Sequence, residues 1–402
     1  MRSRVSPSGT VRTLGPRPEL AGSAIGKAWP GSHDTASEAR CPSTVLGMRG
    51  RTDFIRPTIA LERLHRRRRM RLSDRALAIF TAALVALGAV TAAAAQPLTV
   101  RAGWVVAPAT MTPILFANKA VLRHYGETYV VEPIHFGSTS PEITALATGD
   151  LDIASLAFSS FGAAVLNGHM DDLRVVADGF QDGVEGHYSG DYLVLSDSPI
   201  KTIEDLKGKT VASNGIGGAT DMGIRALLRQ HGMEDKRDYT VVEAQFPSMR
   251  AMLAERKVDL VGVVPPFAYD PRLKETARVL FHMRDGLGTT QMIVLAARSG
   301  FLEKNRRALN DFFEDLVRAL HWYLDPAHRE EAIAIVSTFT KQPKEIFAGY
   351  LFTGADYYRD PDARPNLEAF QRNLDVQQQL GFLPGPLDIR AHADLSFIEE
   401  AA

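Results

Sequence analysis

The chain has 402 residues, enough for two or three domains, and its 45% hydrophobic and 23% charged residues are the balance of a globular protein. The formal net charge of −1 hides a split: the first 95 residues carry 16 Lys and Arg against 6 Asp and Glu, and the remainder carries 30 against 41. An acidic body is a poor match to nucleic acid, which needs basic patches to displace counterions, and the single cysteine, Cys41, leaves the body without disulfides, a cysteine metal site or a thiol nucleophile.

Residues 1–69 are rich in Pro, Gly, Ser and Arg, lack sustained periodicity and end in "HRRRRM". They are expected to be a disordered leader or the product of a start codon called too early. From Met70 the sequence takes the three-part form of a secretory signal: Arg71 and Arg75, an apolar run over 76–90, then "TAAAA" with cleavage expected after Ala95. A membrane span is the competing reading of the same run; the small-residue tail favours cleavage and a periplasmic location.

The body alternates strands and helices. "LTVRAGWVV" predicts a strand over 98–106, and a helix is expected over 113–124, where Ile114, Leu115, Ala117, Val121 and Leu122 fall near helical spacing. "TYVVEPIHF" is the next strand. "GSTSPEITALATG" opens a helix with Ser140 as N-cap and Pro141 at its first position. "DLDIASLAF" is a strand followed by a short helix, "SSFGAAVLNG", and "LRVVADGF" and "DYLVLSD" are further strands. Helices between consecutive strands predict mainly parallel sheets.

A second block begins near Ser196. It runs strand, glycine turn and helix through "TVASNGIGGATDMGIRALLRQ", then strand "YTVVEAQF", helix "PSMRAMLAERKV", strand "VDLVGVV", loop "PPFAYDPRL" and strands "ARVLFHM" and "TTQMIVLAA". Beyond Arg298 the chain is helical. Leu309, Phe312, Phe313, Leu316, Val317, Leu320 and Leu324 share one face, with Trp322 and Tyr323 expected to pack, and shorter helices are expected over 327–338, 343–352 and 366–380. The body thus reads as two α/β lobes followed by helices, with no internal sequence repeat.

The segment "SNGIGGATDMG" fails both nucleotide templates. Gly215-x-Gly217 lacks the third glycine of a dinucleotide fingerprint, because position 220 is Thr, and no Gly-Lys-Ser/Thr follows the strand. What remains is a strand, a glycine turn and a helix start, which is an anion site in its own right through unpaired N–H groups and the helix dipole. Asn214, Gly217, Gly218, Ala219 and Thr220 are its candidate contacts. Similar turns follow other strands, at Thr110, Met111 and Thr112, at Ser138, Thr139 and Ser140, and at Ser159 and Ser160. Each lies at the carboxyl end of a strand, where ligands of open α/β sheets bind. Four such turns on two lobes predict a shared cleft closed by a hinge. Trp104, Arg250, Pro266 and Phe267 are further candidates, Arg250 for a carboxylate or sulfonate and Phe267 as a wall for an apolar or aromatic solute. There is no nucleophile elbow, no zincin motif and no Cys/His metal spacing, so neither a metal nor a cofactor is expected, nor enzymatic activity.

The order of elements resembles that of the periplasmic substrate-binding proteins of ABC importers for nitrate, sulfonates and taurine. The resemblance rests on "VRAGWVV", "ALATGDLDIASLAF", "IKTIEDLKGKTVA", "AMLAERKVDLVGVVPPF" and "LGFLPGPLDIRAHADLSFIEEA", and covers essentially 97–402. It implies an α/β, two-lobed type II periplasmic-binding-protein fold with a cleft between the lobes and C-terminal helices. Lobe 1 would comprise 97–195 and 290–402 and lobe 2 would comprise 196–289, with crossings near 192–198 and 286–292. It also implies a monomer that delivers a small anion, organic acid or sulfonate to permease and ATPase subunits. Where that family often carries Trp-x-Pro, this chain has Val264-Pro265-Pro266, which admits a larger organic acid or aromatic solute. The same superfamily includes pyrimidine synthases, a cysteine-dependent desulfinase and menaquinone-pathway lyases. The first two are disfavoured by the cysteine-free body and the third by the signal segment. A receptor feeding a sensor is the other alternative.

Overall fold

The computed structural model describes residues 96–401; the expected leader and signal segment lie outside them. Ten strands form in chain order: β1 (Leu98–Trp104), β2 (Tyr129–His135), β3 (Ala154–Ala157), β4 (Leu173–Asp182), β5 (Asp191–Leu195), β6 (Thr210–Ser213), β7 (Thr240–Glu243), β8 (Leu260–Val263), β9 (Ala277–His282) and β10 (Thr290–Arg298). β1 and β2 are parallel, with Val100 opposite Val131. A parallel bridge from Ala102 to Ile153 attaches β1 to the chain entering β3. β10 runs antiparallel between β3 and β4. The first lobe therefore has the order β2-β1-β3-β10-β4.

The second sheet has the order β7-β6-β8-β5-β9. β6 is parallel to β7 and β8, and β5 runs antiparallel between β8 and β9. The two sheets share one topology although their sequences show no repeat. In each, the fourth position is filled by an antiparallel strand arriving from the other lobe, so the sheets are mixed rather than mainly parallel. This pairing corrects the expected boundary. β5 belongs to the second sheet, so the chain leaves the first lobe after Asp182, not after Leu195, and the crossings are residues 183–190 and 283–289. "DYLVLSD" contains a strand, but only the pairing shows which sheet receives it.

β10 is buried along its length save for Arg298, as a central strand requires. Its one awkward group, the Gln291 amide, is fully hydrogen-bonded. Nε2 donates to Asp178 Oδ1 at 2.6 Å, and Oε1 accepts from the Asn366 amide at 2.6 Å. These bonds dock the helix Leu367–Gln379 over the strand.

The long helix Arg306–Leu324 buries Leu309, Phe312, Phe313, Leu316, Val317 and Leu320 as its pattern predicts, leaves Leu324 half-buried, and packs Tyr323 as expected, its hydroxyl donating to Ile114 O at 2.8 Å. Phe312 stacks on Phe116 with centroids 4.8 Å apart. Asp315, on the same face, accepts from the amides of Arg123 (2.6 Å) and His124 (2.9 Å) and from the Tyr129 hydroxyl (2.8 Å). The helix expected over 113–124 is absent: the segment breaks into Thr112–Leu115 and a 3₁₀ turn at Lys119–Val121, and the amides at its far end are held by Asp315. The helix expected to start at Ser140 begins earlier, with Ser138 as N-cap and Thr139 as its first residue. Pro141 still falls in the first turn, where its missing N–H costs nothing. Among the described residues no helix is long and apolar enough to cross a membrane.

The two crossings are tied by one carboxyl group. Asp182, at the end of β4, accepts from Ser189 Oγ and from the Gly190 amide, each at 2.7 Å, and Ser189 Oγ accepts from the Arg284 amide at 3.0 Å. Burial pushes the Asp182 carboxyl up to about 7, against the lowering effect of those two bonds.

Asp315→Ala leaves two amides and a buried hydroxyl without their acceptor and is expected to cost roughly 3 kcal/mol or more, read as a lower urea midpoint at constant m-value. An unchanged midpoint contradicts this account. For Asp182, the folded state holds its proton to about pH 7 while the unfolded chain releases it near pH 4, so wild-type stability falls as pH rises through that window. Asp182→Asn removes this contribution. Its unfolding free energy relative to wild type is expected to rise between pH 4 and pH 7, by at most ~1.4 kcal/mol per pH unit; parallel pH profiles contradict it.

Candidate ligand-binding site

A cavity of about 700 Å³ lies between the lobes, at the carboxyl ends of β1 and β2 on one side and β6, β7 and β8 on the other. Thr110, Ser138, Thr139 and Ser140 line it from the first lobe, and Asn214, Gly218, Ala219 and Thr220 from the second. Its floor is made by Phe180 of β4, Met292 and Ile293 of β10, and Tyr357.

On the first lobe the site is the start of the helix Thr139–Thr148. Thr139 Oγ1 and Ser160 Oγ are 2.5 Å apart, which steadies that turn from below. The one acidic residue of the first turn, Glu142, is buried and accepts from the Ser155 amide at 2.6 Å. Gly103 permits this packing, since a Cβ there would stand 2.7 Å from Glu142 Oε2. Burial pushes the Glu142 carboxyl well above the usual range and favours its neutral form. The positive end of this helix therefore faces the cavity without a local counter-charge.

The second lobe is arranged differently. Gly217 sits at φ 76°, where glycine is at home. Gly223 lets Tyr192 pass; a Cβ there would collide with the tyrosine hydroxyl, which donates to Thr220 O at 2.7 Å. Three of the turn's amides are already engaged. Ile216 donates to Glu243 Oε1 (2.7 Å), Gly217 to Asp221 Oδ2 (2.8 Å) and Gly218 to Gly215 O (3.1 Å). Asp221 is paired in turn with Arg225 at 2.8 Å. The first-turn residues Ala219 and Thr220 line the cavity, and their amides are among those a helix leaves unpaired. This turn thus has two carboxyl groups bonded to its amides, whereas Glu142 of the first lobe's helix is turned away to the Ser155 amide.

Tyr357 is the residue that sequence reasoning missed. It is 2% exposed, packs on Phe180 with centroids 4.4 Å apart, and its hydroxyl has no hydrogen-bond partner among the described residues. Burial raises its pKa well above the ordinary tyrosine value, so the group is a neutral O–H; the residue lines the cavity floor, with the hydroxyl oxygen itself buried. Phe180, Met292 and Phe246 also escaped notice. Their sequence signal is that of strand and helix core, and nothing local tells a floor residue from a packed one.

Not every expected contact reaches the cavity. Met111 and Thr112 are buried beside Leu316 and Asp178 around a void of about 20 Å³, because the short helix they start packs inward on the helix Arg306–Leu324. Ser159 and Ser160 are buried beneath the site, in a helix held down where Gln377 Nε2 donates to Ser159 O at 2.8 Å. Gly217 is turned to the back, facing Phe382 at the distance of ordinary contact. Trp104, Arg250, Pro266 and Phe267 line a second chamber of about 910 Å³, which adjoins the first at Val105, Val106, Gln245 and Phe246. Arg250 is paired there with Asp270 at 3.0 Å.

Known proteins share this architecture. A protein of Escherichia coli (strain K12) named as an aliphatic sulfonates-binding protein is 29% identical over 207 residues, 49% of this chain; the chain spans 60% of that relative's length. The solved periplasmic aliphatic sulphonate binding protein SsuA from Escherichia coli superposes with a TM-score of 0.60 at 23% identity, covering 74% of this chain and 92% of that one. The desulfurization enzyme DSZB superposes with a TM-score of 0.55 at 15% identity, covering 76% and 98%. At these identities the structures establish the fold, that of the two-lobed periplasmic binding proteins. The pattern of the NMT1-like family matches residues 93–337, more than half of the sequence, and the chain belongs to that family.

Proposed function

We propose that the chain is a solute-binding receptor that captures a small organic monoanion of the sulfonate or carboxylate kind between its lobes, closes on it about the two crossings, and delivers it in the periplasm to the permease and ATPase subunits of an ABC importer. The observation that carries this reading is the cavity walled by a helix start from each lobe, with Tyr357 on its floor.

The lining chemistry supports one negative charge and no more. Among the described residues that line the inner cavity there is no Lys, Arg or His, and Glu243 is the only carboxylate. A dianion would lie in a cleft without a balancing cation. A sulfonate or carboxylate head needs only hydrogen-bond donors, which Ser138, Thr139, Thr220, Tyr357 and the helix-start amides supply. Each helix end is worth about 0.3–1 kcal/mol to an anion and each charged hydrogen bond about 1.5–3 kcal/mol. Several together reach the ~8 kcal/mol of a micromolar complex after ordering costs.

The shared fold of a desulfurization enzyme raises turnover as the rival reading. The lining favours binding. The sole cysteine of the sequence is Cys41, far from the fold's cavity-forming segments in sequence, and Thr139 is hydrogen-bonded to Ser160 rather than to a base. Glu243 already accepts from the Ile216 amide.

Thermal-shift measurements with alkanesulfonates, aromatic carboxylates, nitrate and pyrimidines are expected to show a specific rise in Tm with an organic monoanion. If none raises Tm, the receptor reading fails. Tyr357→Phe removes only the unpartnered hydroxyl. It is expected to leave the unliganded protein as stable or more stable and to weaken binding about tenfold; unchanged affinity removes Tyr357 from the site. Ser138→Asp keeps a good N-cap but places a carboxylate where the anion would sit. It is expected to preserve Tm and lower affinity at least tenfold, whereas retained affinity assigns the anion to another part of the cavity.

A further inference from the structure

The inner cavity alone has the volume of a site for a drug-sized ligand, and it does not end at the helix starts. It continues past Gln245 and Phe246 into the outer chamber, which is the larger of the two. The walls change character on the way. The inner chamber presents hydroxyls and helix-start amides over an apolar floor. The outer chamber presents aromatic rings from both lobes. Trp104 packs against His135 with centroids 4.3 Å apart and against Phe339 at 5.6 Å. Across from it, Phe246 and Phe267 lie parallel, 5.8 Å apart and 17° from coplanar. The guanidinium of Arg250 is paired with Asp270 at 3.0 Å and the exposed Arg272 also lines this chamber, so the rings supply its apolar surface beside charged side chains.

We infer that the solute is bipartite: a singly charged head in the inner chamber joined to a planar, uncharged aromatic body that runs past Phe246 and lies against Phe267 in the outer chamber. A nitrate-sized or methyl-sized solute would leave the outer rings facing water. An aryl body covers them, and stacked or edge-on ring contacts add to the burial of its area. Phe246 borders both chambers, so it is the point at which head and body divide. Trp104 and Phe267 are then specificity-determining residues, while Ser138, Thr139 and Tyr357 serve any anionic head.

This inference rests on the receptor reading, and calorimetric titration separates the two. The probes are methanesulfonate, benzenesulfonate and naphthalene-2-sulfonate, which share one head and differ only in the body. Wild-type protein is expected to bind naphthalene-2-sulfonate at least tenfold more tightly than methanesulfonate. Phe267→Leu, which keeps apolar volume but removes the ring, is expected to lower affinity for the aryl probe about tenfold and to leave methanesulfonate unchanged. Trp104→Leu provides the same test from the other lobe, and the melting temperatures of both variants report whether the fold is kept. Equal affinities across the three probes, or an equal loss for all of them in a folded Phe267→Leu, overturn the bipartite solute while leaving the receptor standing. Failure of every probe, together with every anion of the thermal-shift panel, overturns both.

Discussion

The antiparallel insertion of β10 between β3 and β4, and of β5 between β8 and β9, is the constraint from which the rest of this molecule follows. Neither sheet is complete without a strand that the chain enters directly from the other lobe. The chain must therefore cross between lobes twice, and the two crossings come together at Asp182, Ser189 and Arg284. With both crossings on one side, the carboxyl ends of the parallel strands are left facing each other across an open space. The cleft is thus a product of connectivity. Its polar lining follows from where strands stop and helices start, since those ends carry unpaired amides and short hydroxylated side chains.

Two halves of like topology do not make a symmetric site. The first lobe hides its first-turn acid, Glu142, in a setting that favours the neutral carboxyl, and keeps its helix end electropositive. The second lobe spends its turn amides on Glu243 and Asp221. On the proposed reading, a negative head is drawn to one side of the cleft, and the other side offers shape and a few neutral donors. Such a division would give the proposed solute a direction, along a cavity that contains an apolar floor and leads to an aromatic chamber.

Much of this architecture is legible in the residues. Alternating strands and helices, the amphipathic Arg306–Leu324 pattern and the polar turns after successive strands lead to two α/β lobes and a cleft. The glycine turn excludes nucleotides by what stands at Thr220. Other features depend on partners distant in sequence. The amides of Arg123 and His124 are claimed by Asp315, and the lobe boundary is set by which sheet accepts β5. Trp104, Arg250, Pro266 and Phe267 line the outer chamber, and their spacing in sequence could not distinguish the two chambers. Tyr357 is the sharpest instance. A tyrosine in "GADYYRD" reads as packing, and only three-dimensional placement reveals a buried hydroxyl with nothing to bond to.

The shared strand arrangement also bears on the order in which the protein is assembled. As the chain emerges from its amino end, β1 to β4 are made early, yet the first sheet stays open at its centre until β10 arrives after the whole second lobe. Until then the backbone edges of β3 and β4 that pair with β10 have no native partner. The second lobe has all its strands as soon as β9 is made and is free to fold first, as a continuous insertion. Contacts of such long sequence separation slow folding. The first lobe is therefore expected to lock after the second, when β10 arrives.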